Sequence, residues 1–112
     1  MLRVLFVCVL SIVVSACVPT EEEFHKRRQW AIEDADFRQG VLDKCMSRKN
    51  PEEDLRDLAH LTKVPLKDAK RVFCGRFMKA IVSGRLKYED VVAWYRYQRA
   101  TPTMLDIARG RK

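Results

Sequence analysis

Eleven consecutive residues, Val4 to Val14, carry no charge, and the chain turns polar just after Cys17 with Pro19-Thr20-Glu21-Glu22-Glu23. Met1-Leu2-Arg3 supplies one positive charge ahead of the run, and the small pair Ser15-Ala16 closes it. That order is the pattern of a secretory signal peptide; a bilayer span would need roughly 20 apolar residues. The consequence for folding is direct. Residues 1–16 are expected to be removed, Cys8 with them, so the core must come from the chain beyond. A mature chain of that size makes one domain with a modest core, which a covalent staple would help.

Val14-Ser15-Ala16-Cys17 resembles the bacterial lipobox of lipoprotein precursors. The resemblance covers residues 1–18. It implies that Cys17 becomes the mature N-terminus, carries a diacylglyceryl thioether and usually a third acyl chain, and makes residues 17–20 a lipidated tether. Plain secretion is the alternative, because Val14-x-Ala16 also suits general signal peptidase cleavage. Each buried acyl CH₂ adds about 0.8 kcal/mol of membrane affinity, so two or three chains hold a protein there permanently. Val18 is not the aspartate that commonly retains such lipoproteins at the inner membrane, which implies the periplasmic leaflet of the outer membrane.

With Cys8 cleaved and Cys17 alkylated, Cys45 and Cys74 remain as one pair. In an oxidising compartment such a pair is expected as a disulfide. Closing a loop of about 30 residues contributes roughly 3–4 kcal/mol in the chain-entropy model. His25 and His60 are too distant from each other and from the cysteines to suggest ligand pairs, so no metal or cofactor is expected.

The remaining signals are helical, and the spacing predicts an all-α bundle of about four short helices over residues 21–100. Thr20-Glu21-Glu22-Glu23 reads as a capping box. The element it opens, with Phe24, Ala31, Ala35, Leu42, Cys45 and Met46 near one face, runs to about Arg48-Lys49. Trp30, Phe37 and Val41 form an adjacent stripe, and Gly40 suggests a break between about 34 and 40. Asn50 as N-cap with Pro51 at N1 starts a second helix, Pro65 a third that ends at Ser83-Gly84, and residues 88–98 a fourth, stopped by Thr101-Pro102. Residues 101–112 are expected as a basic tail with at most a last turn around Met104-Leu105-Ile107. Its final Arg111-Lys112 is similar to the end of the murein lipoprotein, whose terminal lysine can be joined to peptidoglycan.

Charge divides the chain unevenly. Residues 18–60 hold 8 basic and 11 acidic side chains, whereas 61–112 hold 13 and 4. Such asymmetry suggests an anionic partner for the second half, or simply a solvated basic surface. Trp94, Arg96, Tyr97 and Arg99 combine the residue types that contact sites favour, and they are the candidate partner surface; Tyr88 and Tyr95 share a face with Val91 and Val92 and are expected in the core. Leu58-Ala59, Val64, Ala69 and Val72 resemble the spacing of a DNA-binding helix-turn-helix over residues 55–73, with Lys67, Asp68, Lys70 and Arg71 toward the DNA. Lys63 stands where that motif usually has glycine, and an exported protein meets no genomic DNA, so nucleic acid is not the expected partner. No Ser, Cys or acid pairs with either histidine, His60 is expected half-buried, and no phosphate-cradling Gly-rich loop occurs, which argues against an enzyme with a small-molecule substrate. The expectation is therefore a membrane-anchored envelope lipoprotein that binds a protein or an anionic surface.

Overall fold

The computed structural model describes residues 18–112; Cys17 and the expected signal peptide lie outside them. The described residues form six α-helices and no strand: α1 Glu21–Glu33, α2 Ala35–Ser47, α3 Glu52–Thr62, α4 Leu66–Ser83, α5 Tyr88–Tyr97 and α6 Pro102–Arg109. The all-helical class holds, but the count exceeds four for two local reasons.

The first expected helix is two. Thr20 caps α1 by accepting from the Glu23 amide at 3.1 Å. The break falls at Asp34, whose extended backbone ends α1 while its carboxylate accepts from the Asp36 and Phe37 amides to start α2. Gly40 stays inside α2, so a competing cap and not glycine entropy decides the break. At the other end, Thr101-Pro102 does not stop α5, which ends at Gln98 in the left-handed region (φ 52°). It starts α6 instead: Thr101 accepts from the Met104 amide at 3.2 Å, and Pro102 takes the first turn, where its missing N–H has no helical partner. The second helix also begins one residue later than expected, with Pro51 rather than Asn50 as its N-cap.

Helix α4 is the centre, approached by α1, α2, α3 and α6. It presents Ala69, Cys74, Met78 and Ala80 inward. Around Ala80, Leu86 and Ile107 gather the half-buried Phe77, Ile81, Val91 and Met104. Ile107 and Ala108 are 2% and 1% exposed, so residues 102–109 belong to the core and are not a solvated tail. The core is thin. Among the described residues, five of the nine buried apolar side chains are alanines, which permit close helix approach but remove little apolar area from water.

Helix ends inside so small a domain leave carbonyls short of partners. Cationic side chains from neighbouring segments satisfy them. Arg38 donates to the Ala31 and Ile32 carbonyls at the end of α1 (2.7 and 3.0 Å), and Lys70 to the Arg48 carbonyl after α2. Arg28 caps α4 through the Ile81 and Val82 carbonyls (2.8 and 3.1 Å). Arg76 serves two helices at once, donating to Thr62 of α3 (3.0 Å) and Ala108 of α6 (2.6 Å). Gly84 and Gly110 end α4 and α6 with φ of 82° and 78°, and a Cβ on either would lie 2.9 Å from the Arg28 or Arg76 guanidinium respectively.

One acid is buried without a cation. Asp90, 7% exposed, accepts from the Lys87 amide (2.9 Å) and from the Thr101 hydroxyl (2.6 Å), joining the starts of α5 and α6. Asp90→Ala removes both acceptors and is expected to cost about 1–3 kcal/mol, with Asp90→Asn milder because one carbonyl oxygen remains. Urea titration followed by circular dichroism checks this; an Ala variant within about 0.5 kcal/mol of wild type would show the pair to be dispensable.

Candidate functional site

Cys45 and Cys74 are bonded to each other, with Cα atoms 6.1 Å apart, and this disulfide ties α2 to α4. Cys17 falls outside the described residues, but the chain leading from it is held. The Tyr88 hydroxyl donates to the Pro19 carbonyl at 2.8 Å, and the Tyr88 ring lies 5.9 Å from that of Phe24. The exit point of the N-terminal segment is thus pinned between α1 and α5.

Trp94, Arg96, Tyr97 and Arg99 are all exposed, Tyr97 by 67%. They do not form one patch. Trp94 and Tyr97, three apart, share a side of α5, whereas Arg96 lies on another side and Arg99 follows the helix end. Tyr95, expected in the core, is 52% exposed. The reason is tertiary: among the described residues α5 approaches no other helix closely along its backbone, and its buried side chains stop at Ala93. Tyr88 is half-buried, as its neighbours Pro19 and Phe24 require.

Tyr95 instead lines a cleft of about 700 Å³ among α1, α2, α4 and α5. Trp30 and Val41, both exposed large side chains, line it too, with the Trp30 and Phe37 rings edge-to-face at 5.7 Å. Its floor includes the buried Ala31, Met78 and Leu86. Arg27, Arg28 and Lys44 are its charged lining residues, and no acid lines it. Arg28 is committed to the α4 carbonyls; among the described residues Arg27 and Lys44 enter no ion pair. The Trp30-Phe37-Val41 stripe was legible in the sequence as apolar surface and a break between about 34 and 40 was expected, but not the Asp34 cap that makes it nor the cleft it helps to form.

The segment 55–73 forms two helices joined through Lys63-Val64-Pro65, and Lys63 adopts the left-handed conformation (φ 59°) that a turn glycine would take. On α4, Lys67 and Arg71 are exposed, but Asp68 and Lys70 are half-buried, Asp68 pairing with Arg71 at 3.2 Å and Lys70 occupied by the Arg48 carbonyl. His25 and His60 are both exposed, His60 contrary to expectation. Among the described residues no group of three or more His, Cys, Asp or Glu side chains is placed to hold a metal ion, and no helix is long and apolar enough to cross a membrane. Compared with known proteins, the chain matches no family model, no curated protein and no solved structure.

Proposed function

We propose that this protein is an envelope lipoprotein, anchored by acyl chains on Cys17 at the periplasmic face of the outer membrane, whose helical domain is a binding module rather than an enzyme. The observation that carries the reading is the Val14-Ser15-Ala16-Cys17 sequence ahead of a domain whose two remaining cysteines are bridged. A structural disulfide belongs to an oxidising compartment, and a lipobox leads to one. The pinned Pro19 supports it further, since a tether leaving from a defined point fixes which face of the domain looks toward the membrane. Trp94 and Tyr97 on one side of α5 are the surface for an envelope protein, and Arg96 and Arg99, which lie apart from that side, are available to anionic groups.

Cys17→Ser is expected to move the protein from the membrane pellet to the soluble fraction, and the intact mass of the wild type to exceed that of residues 17–112 by two or three acyl chains. Identical fractionation of variant and wild type would overturn the reading. A cytosolic DNA-binding regulator, using residues 55–73, is the second reading, favoured by the left-handed Lys63 turn. It requires residues 1–16 to be retained, so the same mass measurement separates the two.

A further inference from the structure

The cleft among α1, α2, α4 and α5 joins three features that an ordinary packing defect lacks. Exposed apolar side chains converge on it from three helices: Trp30 from α1, Val41 from α2 and Tyr95 from α5. Its floor is apolar and buried, and its volume of about 700 Å³ lies within the range of small-molecule sites, roughly 300–1,000 Å³. Its charge has one sign. Arg27 and Lys44 line it without an acid opposite, although the first half of the chain, from which both come, is rich in acids. Elsewhere in the fold cations from other segments are drawn to carbonyl ends, as Arg28, Arg38, Lys70 and Arg76 are. Arg27 and Lys44 are not, and both remain exposed beside apolar walls.

An apolar trough with two cations that, among the described residues, have no ion-pair partner is complementary to a single apolar chain ending in an anion. The geometry points to a binding site for a long-chain fatty acid, its hydrocarbon along Trp30, Phe37 and Tyr95 and its carboxylate on Arg27, whose planar fork suits that group, and on Lys44. The site lies wholly within residues 18–112 and needs no acyl group on Cys17. It is separate from the Trp94 and Tyr97 surface, neither of which lines the cleft.

The two tryptophans allow a direct test, because Trp30 lines the cleft and Trp94 does not. Dibromostearate, which quenches indole on contact, is added to the purified protein below its micelle concentration. Saturable quenching is expected in the wild type and in Trp94→Phe. Trp30→Phe, which keeps an aromatic wall, should lose it. The double variant Arg27→Glu, Lys44→Glu, both at exposed positions, should weaken binding at least tenfold, and a brominated stearyl methyl ester should bind the wild type as weakly. Quenching that does not saturate, that disappears in Trp94→Phe, or that ignores both the charge reversal and the ester would overturn the assignment. A loss confined to membrane fractionation of Cys17→Ser would leave it intact, since the two readings fail in different experiments.

Discussion

Replacing Cys45 with serine, or reducing the disulfide, is expected to lower stability by about 2–5 kcal/mol. For a domain of this size roughly 4–8 °C accompany each kcal/mol, so Tm should fall by at least about 8 °C. The magnitude follows from what holds α2. That helix has no fully buried residue, and half-buried side chains such as Phe37 and Leu42 are its main apolar anchors. The bridge to Cys74, itself 4% exposed at the centre of α4, replaces the burial that α2 lacks. Loss of the bridge should therefore be felt first in α2: hydrogen exchange of residues 35–47 is expected to accelerate more than that of α4. Cys74→Ser should be worse than Cys45→Ser, because it also leaves a hydroxyl in a buried, apolar position. A Tm change under about 4 °C in Cys45→Ser, or uniform acceleration across all six helices, would contradict this account.

Arg76→Met is expected to cost about 2–4 kcal/mol, since it removes two charge-assisted bonds while keeping most of the side chain's apolar stem. Both bonds come from one guanidinium nitrogen, and they hold the ends of α3 and α6 to α4. Arg76→Lys keeps the charge but not the planar fork, and should recover only part of the loss. Gly110 provides the coupling test. A Cβ there meets the Arg76 guanidinium at 2.9 Å and also forces an L residue to φ 78°. In the wild type, Gly110→Ala should carry both penalties; in an Arg76→Met background only the conformational one remains, about 1–2 kcal/mol. Chemical denaturation of the four proteins in this cycle checks it, and strict additivity would show that residue 110 and the clamp act independently.

The clamps also change how the charge asymmetry reads. The sequence counts 13 basic side chains against 4 acidic ones in residues 61–112, and a partner of opposite charge is one explanation. Lys70 and Arg76 account for part of that excess inside the fold, on carbonyl ends that carry partial negative charge. Such use is invisible in a linear chain, because the donors act 14 to 32 residues away from the Thr62, Arg48 and Ala108 carbonyls they satisfy. What remains for a partner is the smaller set on the surface, including Lys67, Arg71, Arg96 and Arg99.

Local chemistry is what the sequence by itself determined. Thr20, Pro51, Pro65 and Gly84 marked helix limits to within a residue, because caps and φ restrictions act over a few bonds and need no distant partner. The pairing of Cys45 with Cys74 was legible by subtraction, once the expected signal peptide and lipobox had set Cys8 and Cys17 aside. Everything that depended on two helices meeting was decided only by the tertiary structure. Asp34 was one acid among several until its carboxylate was free to cap α2, and Thr101-Pro102 stopped one helix or started another equally well on sequence alone. Tyr95 had the spacing of a core residue and lies half in water, because periodicity specifies which side chains share a face, and not whether a neighbour arrives to cover it. The cleft is the same lesson at larger scale. Its walls come from four helices, two of them joined by one capped turn at Asp34.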